Sequence, residues 1–165
     1  MEAPVVSGIA FNRDEAAIIV TSVPHQPGVA YAILKPISLA AIDVDMIVVN
    51  APREERVDFS YTVHRDDYEK ALELTRQATA EFVGSHVAGD DRVAKLSVVG
   101  SGMRAQAGVA TRLFETLAKE SINVGLVSTS ESRSACWWRK RTSNERCGHC
   151  TAPTGSNARQ TLDLT

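Results

Sequence analysis

The sequence predicts an α+β chain built from a duplicated β-α-β-β-α-β unit, with the second copy incomplete. Three observations carry this prediction. The chain is self-similar at a separation of about 80 residues. Each copy opens with a short Val- and Ile-rich run, followed by apolar residues at helical spacing. In the second copy both patterns stop after Glu131, where the composition changes abruptly.

The repeat is explicit. Gln26-Pro27-Gly28-Val29-Ala30 answers to Gln106-Ala107-Gly108-Val109-Ala110. Ala41-Ile42-Asp43-Val44-Asp45-Met46-Ile47 answers to Ser121-Ile122-Asn123-Val124-Gly125-Leu126-Val127. Ala16 to Val20 and Val93 to Val99 have strand character, being short and β-branched. A helix is predicted to start near Pro27-Gly28, because proline suits a first turn whose amide has no partner. Val29, Ile33, Leu34 and Ile37 form its apolar stripe, and Pro36 is expected to kink or end it. The matching helix carries Val109, Leu113, Phe114 and Leu117. Second strands follow at Val44 to Val49 and Val124 to Ser128.

The first copy continues with Val57, Phe59, Tyr61 and Val63 alternating with polar residues, as a half-buried strand does. Asp66 and Asp67 open a helix to about Phe82, since acidic residues favour a helix start. Leu72, Thr75, Thr79 and Phe82 share one of its faces, and His86-Val87-Ala88 is read as a short closing strand. This order is the ferredoxin-like split unit, an antiparallel sheet with helices on one face. Val5 to Ala10 is a further strand available to close a sheet. The expected organisation is therefore a leading strand in 1–14, module 1 in 15–90, an incomplete module 2 in 91–131, and a tail in 132–165. Losing a third strand and second helix would expose the second module's core face and an unpaired strand edge.

Composition narrows the function classes. With 44% apolar and 23% charged residues among 165, the chain reads as a globular protein. A formal net charge of -2 offers no general attraction for nucleic acid or an anionic membrane. Lys35, Asp43 and Asp45 interrupt the best apolar run, so no bilayer span is expected. The start Met1-Glu2-Ala3-Pro4 lacks the features of a signal peptide, which makes a cytoplasmic location the expectation.

Paired ferredoxin-like units are common, and local motifs are needed to narrow them. Val6-Ser7-Gly8-Ile9-Ala10, Pro27-Gly28-Val29-Ala30, Ile42-Asp43-Val44-Asp45-Met46-Ile47, Gly102-Met103-Arg104 and Gly108-Val109-Ala110 occur in that order. Ile122-Asn123-Val124 follows, and then Ser128-Thr129-Ser130-Glu131. Together, over about residues 5 to 131, these motifs resemble the regulatory region of aspartate kinases, a tandem of ACT domains. In that family the region also exists as a separate small subunit, and the Met1-Glu2 start fits one.

The resemblance implies an amino-acid sensor, and the residues supply its chemistry. Helix N-terminal amides suit a carboxylate. Gly28 and Gly108 allow close backbone approach, while Asp43, Asp45 and Asn123 suit an ammonium group. By resemblance, effector sites form where the first module of one chain meets the second module of another. The contacts implied are His25, Gln26, Gly28, Val29, Ala30, Asp43, Val44, Asp45 and Val49, with Ala110, Thr111, Asn123, Ser128 and Thr129 from the second module. The implied partners are L-lysine and/or L-threonine as effector, an aspartate kinase catalytic chain, and a second copy in a homodimer through the ACT modules. An Asp is usual in the family where His25 stands, and a Gln where Val49 stands. No cofactor, catalytic residue, nucleic-acid or membrane partner is expected. The alternative class is a free-standing ACT pair regulating another amino-acid enzyme or a transcription factor.

Simpler readings stand beside these. The Gly-Val-Ala helix starts are also what a tight, closely packed turn requires, and Asp43 and Asp45 also suit solvated strand ends. His25, His64 and His86 lack metal-ligand spacing, although His25 at a binding site would make binding pH-dependent. Cys147-Gly148-His149-Cys150 is half of a zinc pattern without a second pair, so no metal is expected. Arg139-Lys140-Arg141 beside Trp137 and Trp138 is too short a basic run for a nucleic-acid tail. A frameshift explains the tail better. Back-translated with GC-rich codons, Arg133 to Thr151 can be read in another frame as a Val-Leu-Val strand and a helix ending Ala-Val-Arg-Ala-Leu-His, resembling the family's continuation. The tail is therefore expected to be frameshifted and disordered.

Overall fold

A computed structural model describes residues 6–100, 109–129 and 133–139. In chain order the elements are β1 (Val6–Pro24), α1 (Val29–Leu39), β2 (Val44–Val49), β3 (Arg56–His64), a 3-10 turn (Arg65–Asp67) and α2 (Tyr68–Thr79). Then come β4 (His86–Gly100), α3 (Val109–Lys119), β5 (Val124–Thr129) and β6 (Arg133–Arg139). The chain divides into two compact units, Asp14–Val93 and the combination of Met1–Arg13 with Ala94–Thr165.

In the unit Asp14–Val93 the strand order is β2-β3-β1-β4. β3 runs antiparallel to both neighbours, with Ala16 opposite Val63, Val20 opposite Phe59, and Val49 opposite Phe59 on the other side. This is the ferredoxin-like antiparallel sheet the sequence predicts. The alternating residues Val57, Phe59, Tyr61 and Val63 enter one core with Ile18, Val20 and Val23 of β1, Ile33 and Ile37 of α1, and Leu72 of α2. Burying a side chain of this size contributes roughly 1.5–3 kcal/mol, so this cluster is the main support of the unit. Two polar groups inside it are satisfied. The Tyr61 hydroxyl lies 2.6 Å from Thr75 Oγ1, and the Thr75 hydroxyl donates to the Ala71 carbonyl at 2.7 Å. Burial pushes the Tyr61 phenol above its usual value of 10.0, and the Thr75 hydrogen bond opposes that shift. The β2–β3 register slips between Val44 and Ile47, and the Met46 amide donates to Thr62 Oγ1 at 3.1 Å there.

In the other unit the order is β1-β4-β6-β5. Leu96 and Val98 of β4 bury against Leu113 and Leu117 of α3, with Ile9, Ile122, Val124 and Val127 packed around them. β5 and β6 pair antiparallel, Val124 opposite Trp138 and Thr129 opposite Ser134. Both units close their first helix alike. Ala41 donates to Ser38 at 3.0 Å and Ile42 to Ile37 at 3.2 Å; Ser121 donates to Ala118 at 2.9 Å and Ile122 to Leu117 at 2.8 Å. Ala41 and Ser121 take left-handed φ values of 55 and 55. This paired bonding is the Schellman stop, and its recurrence shows the duplication at the level of backbone geometry.

Four sequence expectations differ from what is observed. The two strand segments expected at Val5 to Ala10 and at Ala16 to Val20 are one strand, β1, and those at His86-Val87-Ala88 and Val93 to Val99 are likewise one strand, β4. The polar stretches between them, Asn12 to Glu15 and Gly89 to Arg92, are part of these strands, and Glu15 opens the β1–β3 ladder opposite His64. Pro36 does not end α1, which continues to Leu39. The carbonyl that loses its donor belongs to Ala32, on the exposed side of the helix. α2 ends at Thr79 rather than near Phe82, although Phe82 still packs on the core. A third strand, β6, is present in the second unit at Arg133–Arg139, where loss of that strand is expected from sequence. Its ladder with β5 is backbone hydrogen bonding, which needs no alternating hydrophobic pattern, and Trp and Cys suit a pleated surface. The rest of the tail, with Cys147-Gly148-His149-Cys150, lies outside the described residues, as do Gly108, Ser130 and Glu131.

Candidate functional site

The start of α1 is built by the loop His25 to Gly28. Pro24 is the last β1 residue, opposite Arg56, and His25 then donates its amide to the Glu55 carbonyl at 2.8 Å. Gln26 donates to Pro24 at 3.0 Å, which turns the chain toward the helix. Gly28 is the N-cap residue with φ 93, a left-handed value that glycine adopts without a steric penalty. A Cβ placed there would meet nothing within 4 Å, so glycine is needed for its backbone angle and the space above the helix start is open.

No side chain caps α1, and its first turn holds no acidic residue. Val29 donates to Gln26 at 3.4 Å and Ala32 to Gly28 at 2.9 Å. The amides of Ala30 and Tyr31 are the orphan donors that any helix start presents. Gln26, Gly28 and Ala30 are exposed and Val29 is half-buried. An exposed, uncapped helix start carries partial positive charge and suits a carboxylate.

The acidic candidates stand elsewhere. Asp43 lies between the end of α1 and β2, and Val44 and Asp45 begin β2. Val44 is level with Val63 of β3, whereas Pro24 is level with Arg56. That separation along β3 amounts to about 24 Å at ordinary strand rise. Val49, opposite Phe59, lies nearer the helix start. One unit therefore brings His25, Gln26, Gly28, Val29 and Ala30 together, and holds Asp43, Val44 and Asp45 at its opposite end. Asp43 and Asp45 are exposed.

The second unit repeats this division. Ala110 and Thr111 lie in the first turn of α3, which also lacks an acidic residue. Asn123 follows the Schellman stop at the other end of that helix, which is 11 residues long, or about 16 Å. Ser128 and Thr129 end β5, which runs back from Asn123. β2 and β5 are the outermost strands of their orders, each with one unpaired edge among the described strands. Ile47 and Val49 on β2 are 49% and 50% exposed, an unusual state for large apolar residues on a sheet.

Sequence reasoning did not single out Glu55, Arg56 and Asp58, which hold the end of the unit where α1 begins. Arg56 and Asp58 look like ordinary polar alternates of β3, and only their contacts distinguish them. Among the described residues no cluster of three or more His, Cys, Asp or Glu suits a metal ion. Also among the described residues, no helix is long and apolar enough to cross a membrane.

Comparison with known proteins bears on these features. Residues 17–79 match an ACT domain, and residues 96–137 match a second ACT domain model. An aspartokinase of Pseudomonas aeruginosa is 55% identical over 131 residues, covering 79% of this chain and 32% of its own length. The chain thus spans about a third of the curated relatives it matches. A crystal structure of aspartokinase alpha and beta subunits superposes with a TM-score of 0.72 at 44% identity, over 82% of this chain and 88% of that one. The ligand-free regulatory subunit of aspartate kinase from Thermus thermophilus gives 0.75 at 30% identity, over 81% and 88%. Both units, the uncapped start of α1 and these likenesses agree: the chain belongs to the aspartokinase family, and corresponds to its ACT-domain regulatory part.

Proposed function

We propose that the chain is an amino-acid-binding regulatory subunit or fragment of an aspartate kinase, with L-lysine and/or L-threonine as effector. The supporting observation is the division of site residues between opposite ends of each unit. A free amino acid carries its carboxylate and ammonium on one carbon. Within one unit the helix start that suits the carboxylate lies a helix length from the acid or amide that suits the ammonium. A complete site therefore needs two units, the helix start of one meeting the strand of another, as between the first module of one chain and the second of its partner. The unpaired edges of β2 and β5 are compatible with such an arrangement in a homodimer.

In this reading the effector acts by binding one arrangement of the paired modules better than another, which is all that coupling to a catalytic chain requires. The catalytic step, ATP-dependent phosphorylation of aspartate, belongs to the partner chain. The test is to measure that rate for the purified catalytic chain with and without this one, titrating lysine and threonine. Sensitivity to either amino acid that depends on this chain supports the proposal. Identical rates and sensitivity in its presence and absence would overturn it.

A further inference from the structure

Five non-glycine residues among those described have left-handed backbones, and two of them, Ala41 and Ser121, end helices. The other three, Ser22 (φ 59), Glu54 (φ 50) and Glu55 (φ 63), gather at the end of the first unit where α1 begins. Such angles are unfavourable for residues with a Cβ and persist only where surrounding contacts hold them.

At Ser22 those contacts come from two side chains of β3. The β1–β3 register slips between Val20 and Val23, and Ser22 is the bulged residue. Its amide donates to Asp58 Oδ1 at 2.9 Å, and its carbonyl accepts from Arg56 Nη1 at 2.6 Å. The same Arg56 nitrogen donates to the Val83 carbonyl at 2.9 Å, in the turn after α2. Glu54 and Glu55 are the central pair of a two-residue hairpin, closed by Arg53 donating to Arg56 at 2.7 Å and Arg56 donating back at 2.8 Å. Glu55 in turn accepts the His25 amide at 2.8 Å. Ser22, Arg56 and Asp58 line an open cleft of about 580 Å³ with Asn50, Arg53 and Glu54.

We propose that Arg56 and Asp58 are positioning residues for the loop His25 to Gly28: they hold the Ser22 bulge in place, and so set effector affinity without touching the effector. The inference rests on the reading of this loop as an effector site. Its physical basis is register. Without a partner for the Ser22 amide and carbonyl, the bulge loses what stabilises it, and a one-residue slip would turn Val23, now 1% exposed, out of the core. The loop that follows, and the open helix start with it, would move too.

The test compares Asp58→Ala with Asp58→Asn in the full chain, since the asparagine oxygen still accepts from Ser22. Amide exchange is followed at Ser22, Val23, His25 and across the β1–β3 ladder, and lysine and threonine are titrated calorimetrically. Asp58→Ala should speed exchange at Ser22 and His25 and weaken effector binding by about tenfold or more, with the ladder still protected. Asp58→Asn should restore both. Wild-type affinity in Asp58→Ala would overturn the proposal, as would a loss of protection spread evenly over the whole ladder. If the wild-type chain binds neither amino acid, the effector reading fails by itself. Local exchange then decides whether Asp58 positions the loop: local acceleration that Asp58→Asn reverses supports it, and unchanged exchange overturns it.

Discussion

The amide of His25 donates to the carbonyl oxygen of Glu55 at 2.8 Å, tying the loop before α1 to the hairpin between β2 and β3. The bond uses only backbone atoms, so the loop's position does not depend on the exposed His25 side chain. His25→Asp is therefore expected to change charge without changing the fold, leaving stability within about 0.5 kcal/mol. Restoring the acid that the family usually carries there should tighten lysine binding a few-fold, on the order of 0.5–1 kcal/mol for an exposed charge pair. Thermal melts and calorimetric titration of the two proteins check both halves of this prediction.

The helix stops offer a stability test that touches no site residue. Ala41 and Ser121 hold left-handed backbones at equivalent points of the repeat, where glycine is the favoured residue. Ala41→Gly and Ser121→Gly should each stabilise the chain by about 1 kcal/mol, because the Cβ penalty of the left-handed region is removed. The two positions share no partner, so their effects should add in denaturant melts. A destabilised Ala41→Gly protein would mean that the Schellman stop is not the conformation in solution.

Tyr61 gives the first unit an alkaline limit. Its phenol is held above the usual value of 10.0 by burial, against the opposing bond to Thr75. The folded state thus favours the neutral form, while the unfolded chain ionises near pH 10. The associated stability is present below pH 10 and is lost as pH rises through the folded value. Tyr61→Phe should cost about 1 kcal/mol at neutral pH through the lost hydrogen bond, and flatten the decline above pH 10. Urea midpoints at pH 7 and about pH 10.5 for both proteins measure the two effects.

The tail yields a prediction at the level of the gene. Residues 132–165 are proposed to be read in a shifted frame, and the nucleotide sequence should show a family-like continuation in another frame after the codon for Glu131. An alternative frame that encodes no Val-Leu-Val segment would remove the idea.

The architecture was largely legible because it rests on periodicity. Val57, Phe59, Tyr61 and Val63 alternate in sequence and face one core; Ile33 and Ile37 recur at helical spacing and reach the same core. The pair Pro27-Gly28 marked the helix start to within two residues, although Pro27 lies in the turn before the helix rather than in its first turn, and Gly28 is the N-cap with φ 93. What the sequence concealed are features that hydrogen bonds impose on polar residues. Val5 to Ala10 and Ala16 to Val20 read as two strands and form one; β6 has no amphipathic pattern and is held by its ladder to β5. The candidate site was visible as residue types and misleading as geometry. Asp43 and His25 flank the same helix in sequence, and α1 between them places them at opposite ends of the unit. Arg56 and Asp58 carried no motif, and their contacts to Ser22 depend on a bulge that one sequence does not reveal.

The most direct test of the central claim is calorimetric titration of the purified full chain with L-lysine and L-threonine, separately and together. Saturable binding of at least one of them, weakened by substitution at the α1 start and by Asp43→Ala, is the predicted result. A folded protein that binds neither amino acid would contradict the account of this chain as an effector-binding regulatory unit.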